Sequence, residues 1–155
     1  MNSIGLEKAT AKTLSAKMND LLSCYMVFYQ NVRGFHWNIK GEKFFELHAK
    51  YEGVYNSLLE KVDEIAERIL TLDGIPLHSC DDYRTVSKIK GVKNVSSATE
   101  GVSSVLESFK TILPMEREIL KLAAEAGDEG TVALMSGYIS EQEKEEWMYS
   151  AYLNN

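Results

Sequence analysis

Residues 36–68 read HWNIKGEKFFELHAKYEGVYNSLLEKVDEIAER and carry most of the chemical information in this chain. Two histidines and three carboxylates in this stretch are of types that hold metal ions, namely His36, His48, Glu52, Asp63 and Glu67. Such a mixed nitrogen and oxygen set suits iron, manganese or zinc. The last four residues form two pairs with i, i+4 spacing, so each pair shares one side of a helix. We therefore interpret this stretch as a helix that presents a metal site.

The helix predicted over residues 42–73 has three faces when its residues are placed at about 100° per position. The apolar face should pack in a core, and it consists of Phe44, Leu47, Tyr51, Val54, Tyr55, Leu58, Val62, Ile65 and Ile69. The polar face should contact water, and it consists of Lys43, Glu46, Lys50, Ser57, Glu60, Lys61, Glu64 and Arg68. The third, which we call the mixed face, consists of Phe45, His48, Glu52, Leu59, Asp63, Ala66, Glu67 and Leu70. Because one bundle needs one apolar face on a helix, the mixed face predicts a subunit interface.

The two ligand pairs lie too far apart on the helix to share a metal ion within one chain. Glu52 and Asp63 are eleven positions apart, which corresponds to roughly 16 Å along a helix axis. Metal bonds to nitrogen and oxygen ligands are only about 2 Å long. An antiparallel two-fold dimer would bring His48 and Glu52 of one chain to Asp63 and Glu67 of the other, forming two identical sites. His36 could complete each site beside His48.

Four long helical patterns indicate an all-α chain. They cover residues 6–35, 42–73, 97–126 and 128–153. The connection over residues 75–96 is long enough to cross a bundle, and residues 82–89 can form short helical turns within it. We expect a single domain over residues 1–155, with a ferritin-like four-helix bundle and a short helix in the crossover between helices 2 and 3.

Three residues are predicted to mark helix ends. Gly74 is the expected C′ residue of the second helix, followed by Pro76 as a stop. Ser97, with Glu100 three positions later, forms a capping-box pattern at the start of the third helix. Gly127 is the expected C′ residue at its end.

The composition excludes several classes of protein. The net charge of −6 should repel nucleic acid and favour cations. Cys24 and Cys80 are too few and too far apart for a disulfide framework, so we expect reduced thiols and a cytoplasmic protein. The first residues lack the apolar region of a signal peptide, and the chain has no apolar run that could span a membrane.

The stretch from His36 to Gly41, the following Phe44 and His48, and the later Asp63 and Ala66-Glu67-Arg68 closely resemble the Dps family. These proteins are the miniferritins, or DNA-binding proteins from starved cells. The resemblance covers nearly the whole chain and implies a four-helix subunit that assembles into a hollow dodecamer with 23 symmetry. It also implies a di-iron ferroxidase centre at the dimer interface, with ligands at His36, His48, Asp63, Glu67 and, where many members have Asp, Glu52.

The resemblance implies an oxidoreductase that converts Fe(II) to Fe(III), usually with hydrogen peroxide and otherwise with oxygen. Ferric mineral is then stored in the cavity, which protects against oxidative stress, and zinc or other divalent metals can substitute at the centre. In the family, the residue equivalent to Trp37 lies close to the centre and is thought to take up oxidising equivalents. The alternative for Trp37 is an aromatic residue with a packing role only.

Asp128 and Glu129 fall where the family lines its three-fold pores with acids, and a ring of acids there would attract Fe(II). The alternative is a helix N-terminus that these carboxylates stabilise through the helix dipole. Both roles are compatible, so we expect Asp128, and to a lesser extent Glu129, at an iron-entry pore.

Two competing functions remain to be compared with iron oxidation. The first is a nucleoid-associated protein whose main role is DNA binding and protection. Family members that condense DNA often use a flexible lysine-rich N-terminal extension, whereas Lys8, Lys12 and Lys17 fall within the first predicted helix. The negative charge also disfavours phosphate contacts, so we expect weak or absent DNA binding. The second is an ordinary ferritin with a metal site inside one bundle, but the sequence has no E-x-x-H motif for it.

Overall fold

A computed structural model of the protein describes residues 1–154, and this part of the chain contains five helices and no strand. The helices are α1 (Lys8–Asn38), α2 (Phe44–Thr71), α3 (Cys80–Val86), α4 (Ala98–Glu125) and α5 (Glu129–Tyr152). The four long helices form a bundle, and α3 lies in the crossover. The all-α prediction with a short helix in the crossover is confirmed, although α3 begins at Cys80 instead of Asp82. No helix within residues 1–154 is long and apolar enough to cross a membrane.

The bundle is built from two adjoining helix pairs, α1 with α2 and α4 with α5, and α1 also packs against α4 and α3. Large side chains from all four long helices are fully buried between them, among them Leu14, Tyr25, Phe28, Tyr51, Ile65, Ile112, Ile119 and Met135. Phe28 and Phe109 meet edge to face with ring centroids 5.3 Å apart, a favourable aromatic geometry. Burial of this apolar surface is the main stabilising contribution to the fold.

The end of α2 differs from the prediction at Gly74. Asp73, with φ of 63°, is the residue in the left-handed region. Asp73 N–H donates to Leu70 O (3.0 Å) and Gly74 N–H donates to Ile69 O (2.9 Å), which is the Schellman pattern with Asp73 at C′. Gly74 is required for another reason, because a Cβ atom there would lie 2.6 Å from Ser15 Oγ of α1.

Ser97 is confirmed as the N-cap residue of α4 and Gly127 as its C′ residue, whereas the second half of the predicted capping box, from Ser97 N–H to the Glu100 carboxylate, is not among the hydrogen bonds of residues 1–154. The Ser97 hydroxyl accepts a hydrogen bond from Glu100 N at 3.2 Å, as expected of an N-cap residue. Gly127 adopts a φ of 69° directly after the C-cap residue Ala126. Its N–H donates to Ala124 O at 3.1 Å, so α4 also ends in a Schellman-type turn.

The structure confirms the predicted faces of α2 only in part. The apolar face is buried, with Phe44 and Val62 partly so. The polar face was expected to contact water, and its glutamates are exposed, but two of its lysines form ion pairs with α5. Lys50 pairs with Glu145 at 2.8 Å, and Lys61 pairs with Glu141 at 3.0 Å. The prediction for Lys61 was wrong, since this residue is only 6% exposed and its ammonium is enclosed by partners from α5 and its own helix.

Candidate metal centre

His36, near the end of α1, and His48, in the second turn of α2, hold each other in a reciprocal arrangement. His36 Nδ1 lies 2.6 Å from His48 O, and His48 Nδ1 lies 2.8 Å from His36 O. Because a carbonyl oxygen only accepts hydrogen bonds, both Nδ1 atoms carry the proton. In that tautomer each Nε2 keeps its lone pair, which is the state in which a histidine binds a metal ion.

The local chain path explains why the His36 carbonyl is available for this contact. It belongs to the last turn of α1, where carbonyl groups lack a helical partner. Lys40, which could donate to it in a longer helix, instead donates its N–H to Ser96 O at 2.9 Å. The connection between α1 and α2 therefore turns His36 and His48 toward each other.

Aromatic contacts fix the two imidazole rings. The His36 and His48 rings stack with centroids 3.8 Å apart and an interplanar angle of 15°. Tyr55 meets His36 edge to face at 5.3 Å, and Phe44 stacks on His48 at 5.0 Å. His36 is buried and His48 is partly buried. Ring orientation is therefore set before any metal ion arrives, which is how accurate ligand sites are supported.

Glu52 lies one turn after His48 on the same side of α2 and is exposed. Its Oε1 atom accepts a hydrogen bond from the Tyr55 hydroxyl at 3.5 Å, which is long and therefore weak. The carboxylate is thus free to adjust its position. His36, His48 and Glu52 form what we call the histidine half-site.

Asp63 and Glu67 form the carboxylate half-site, further along α2. Both are exposed, and neither is hydrogen-bonded or ion-paired to another side chain in residues 1–154. Within the same residues, no three His, Cys, Asp or Glu side chains lie close enough together to hold a metal ion. One chain thus displays two separate half-sites, as the spacing argument requires, and their union across a dimer stays a prediction.

The mixed face of α2 leaves large apolar side chains uncovered in the single chain. Phe45 is 84% exposed, Leu59 47% and Leu70 56%. They lie on the same side of the helix as the two half-sites. Exposed apolar surface of this kind, bordered by polar residues, is typical of a protein interface.

Trp37 lies beside the histidine half-site but outside the core of its own chain, with 58% of its surface exposed. The Arg33 guanidinium lies 5.1 Å from the centroid of the Trp37 ring, 4.7 Å from that of Tyr55 and 5.6 Å from that of Tyr29. It also donates to the Tyr29 hydroxyl at 2.7 Å. Sequence reasoning missed Arg33, although the i, i+4, i+8 spacing of Tyr29, Arg33 and Trp37 indicated a shared helix side.

The two predicted pore residues differ in their surroundings. Asp128 is buried as the N-cap of α5, where it accepts hydrogen bonds from Thr131 N (3.0 Å) and Thr131 Oγ1 (2.6 Å). It also forms an ion pair with Arg68. A carboxylate held in this way serves the helix end and does not face solvent within the chain. Glu129 is exposed and is therefore the better placed of the two for a pore, which stays a prediction.

Comparison with known proteins gives one consistent result. The family model for the ferritin-like domain matches residues 15–155. The chain is 43% identical over 148 residues to the DNA protection during starvation protein of Porphyromonas gingivalis, covering 96% of this chain and 93% of that protein. It is 52% identical over 149 residues to an uncharacterized protein of Haemophilus influenzae, with coverage of 96% and 93%.

A solved structure extends this similarity to three dimensions. It is described as the DPS protein from Vibrio cholerae O1, a member of a broad superfamily of ferritin-like diiron-carboxylate proteins. The match has a TM-score of 0.97 and 48% identity, covering 99% of this chain and 96% of the other. The ferritin-like architecture predicted from the sequence is confirmed.

Proposed function

The chain belongs to the Dps family of ferritin-like proteins, and from this premise we propose that it is a ferroxidase that oxidises Fe(II) to Fe(III). Hydrogen peroxide is the proposed main oxidant, with oxygen as the alternative. The ferric product is stored inside a hollow dodecamer, which removes iron and peroxide together and so limits oxidative damage. The observation that carries this proposal is the reciprocal Nδ1 contact of His36 and His48, which leaves both Nε2 atoms free for metal.

Each group of the proposed centre has a distinct chemical task toward the iron substrate. The Nε2 atoms of His36 and His48 bind Fe(II), which imidazole accommodates well. Glu52 from the same chain, with Asp63 and Glu67 from a second copy, supplies carboxylate oxygens. These hard anionic ligands stabilise the higher charge of Fe(III) and thereby favour the oxidation. Since Asp63 and Glu67 form no hydrogen bond or ion pair with another side chain in residues 1–154, iron binding breaks no existing polar contact of theirs.

Two further features support an assembly with shared sites. The apolar residues Phe45, Leu59 and Leu70 are exposed around the half-sites, so a second copy would cover them while it completes the ligand set. An isologous two-fold contact brings the histidine half-site of each chain to the carboxylate half-site of the other.

We also propose a cytoplasmic location, because free cysteines such as Cys24 and Cys80 are typical of a reducing compartment.

The proposal is tested by stopped-flow Fe(II) oxidation with peroxide and with oxygen. His48→Ala and Asp63→Ala, each as a homo-oligomer, damage every shared site and should lose activity. A mixed dimer of the two carries one doubly damaged site and one intact site, so activity should return. Glu60→Ala, on the polar face of the same helix, is the matched control and should behave as wild type. Verified mixed assemblies without recovery would contradict the shared site.

DNA binding as the main role is the second candidate, favoured by the name of the Porphyromonas gingivalis relative. We propose that any protection of DNA by this chain acts mainly through removal of iron and peroxide. Lys8, Lys12 and Lys17 lie in α1, and Lys17 is paired with Glu118 at 2.9 Å. With a net charge of −6, phosphate contacts are disfavoured. Retardation of DNA by the protein in a low-salt gel-shift assay would overturn this view.

A further inference from the structure

A second set of polar groups lies inside the bundle, away from the mixed face of α2. We call Tyr25 of α1, Glu116 of α4 and Gln142 of α5 the interior cluster. The Tyr25 hydroxyl donates to Glu116 Oε1 and accepts from Gln142 Nε2. All three residues are buried, and Glu116 is completely enclosed. Glu116 Oε2 and Gln142 Oε1 find no hydrogen-bond partner among residues 1–154.

Two oxygen atoms without donors in a protein interior are costly unless another group satisfies them. Carboxylate, amide and phenol oxygens that converge from several helices are also a set that hard cations favour. In ferritin-like di-iron proteins, the metal ions are held inside the bundle by carboxylates from facing helices. The interior cluster therefore has part of the chemistry of an internal cation site.

The remaining long helix, α2, contributes a positive charge next to the interior cluster. Lys61 Nζ donates to Ser57 Oγ at 2.7 Å and lies 3.0 Å from each carboxylate oxygen of Glu141. It also lies 5.4 Å from the centroid of the Tyr138 ring, within the range of a cation–π contact. The ammonium group is thus fixed on several sides, and its side chain is only 8% exposed.

The charge of Lys61 also acts on Glu116. Burial raises the pKa of Glu116 to about 7, while the hydrogen bond from Tyr25 and the positive charge of Lys61 oppose the increase. The ammonium group of Lys61 therefore stabilises the charged form of the Glu116 carboxyl group. A second cation placed beside Glu116 would be repelled by Lys61 through a medium of low dielectric constant.

The surroundings of Lys61 are accessible from outside the bundle. A cavity of about 260 Å³ opens between α2 and α5, and its lining includes Lys61, Glu141 and Gln142. A hydrated ion could reach Gln142 through it.

We propose that Lys61 supplies inside the bundle the positive charge that a divalent metal ion would otherwise bring, and so excludes such ions from the unpaired oxygen atoms of Glu116 and Gln142. Lys61 is thus a specificity-determining residue. The exclusion itself stands on these contacts alone. Its consequence, that Fe(II) is confined to the centre on the mixed face, rests on the proposed function.

The test uses full-length protein in which His48→Ala and Asp63→Ala have removed the proposed intersubunit centre. Lys61→Gln and Lys61→Met are then added separately, the second because Met keeps an apolar stem like that of Lys without the ammonium group. Lys61→Arg is the matched control that keeps the charge. Zn²⁺, which has no redox chemistry, is the probe, and its binding is followed by calorimetry and by the change in Tm.

The expected result is about one additional Zn²⁺ per chain and a Zn²⁺-dependent rise in Tm for Lys61→Gln or Lys61→Met, with none for the parent or for Lys61→Arg. Addition of Glu116→Gln should abolish the gain. A variant that folds only with Zn²⁺ supports the proposal equally. The proposal is overturned if neither neutral variant gains a site, if both aggregate with and without Zn²⁺, or if the gained site survives Glu116→Gln.

This design separates the exclusion from the proposed function. Failure of the proposed function would appear as absent Fe(II) oxidation by the wild-type protein. The Zn²⁺ experiment uses a background without the intersubunit centre and a metal that is not oxidised, so its outcome does not depend on that activity.

Discussion

The two polar regions of α2 differ in what their charged groups contact. On the mixed face, Asp63 and Glu67 form no hydrogen bond or ion pair with another side chain in the described residues 1–154. On the side that faces α5, Lys61 is buried and its ammonium group is engaged in an ion pair and hydrogen bonds. Charges without partners next to exposed apolar residues are suited to an incoming ion and a second subunit. Charges with internal partners are suited to holding helices together and to keeping ions out.

The largest effect is expected from a charge on the mixed face. Leu59→Asp should leave the single chain folded, because Leu59 is 47% exposed. In a dimer it would bury two unpaired carboxylates, each at a cost of several kcal/mol. We expect smaller assemblies by size-exclusion chromatography with light scattering, unchanged helix content by circular dichroism, and loss of Fe(II) oxidation.

Val92→Asp is the matched control for this change, since Val92 is 42% exposed but lies in the crossover. It should assemble as wild type does. Normal assembly of the Leu59→Asp protein would show that the mixed face is not the interface.

The next effect concerns the histidine half-site. His48→Ala removes one Nε2 ligand and the imidazole ring that stacks on His36, although the contact of His36 Nδ1 with the backbone carbonyl at position 48 remains. Loss of outer contacts to metal ligands alone costs about 10–100-fold in affinity or activity. We therefore expect the rate of Fe(II) oxidation, measured by stopped-flow absorbance, to fall more than about 100-fold. His78→Ala, at an exposed histidine before α3, should keep the wild-type rate, and an equal loss in both variants would argue against a specific role for His48.

The interior cluster should make the free energy of unfolding depend on pH. Burial raises the folded-state pKa of Glu116 from 4.5 to about 7. Between these values the folded chain holds a proton that the unfolded chain has released, so stability falls as pH rises through this window. The shift corresponds to a loss on the order of 3 kcal/mol per chain, at about 1.4 kcal/mol per pKa unit.

Glu116→Gln should remove this contribution from the free energy of unfolding, measured by denaturant titration between pH 5 and pH 8 at one protein concentration. Glu60→Gln, at an exposed position of α2, should retain the wild-type pH dependence. Parallel curves for wild type and Glu116→Gln would mean that Glu116 does not titrate in this window.

The contrast between the two regions also explains what the sequence could and could not predict. The half-sites were predictable because i, i+4 spacing and helix rise are local properties. The burial of Lys61 was not, because it depends on Glu141, which lies 80 positions away in the chain. The left-handed residue after α2 was misplaced by one position, since Asp73 adopts a conformation for which glycine is the usual choice. Asp128 was correctly predicted at a helix start. Its ion pair with Arg68 could not be predicted, because this is also a tertiary contact.

The smallest effect is expected from the loss of one hydroxyl group, and the same substitution can be made in both regions. Tyr55→Phe removes only the long 3.5 Å contact with Glu52, so stability should change by less than about 0.5 kcal/mol. Tyr25→Phe leaves the buried groups of Glu116 and Gln142 without their shared partner, and should cost about 1–3 kcal/mol. Both values are measured by denaturant unfolding of the two variants beside wild type. Equal losses would mean that Glu52 is held as firmly as the interior cluster, and Glu52 would then be a fixed ligand instead of one that adjusts to the iron.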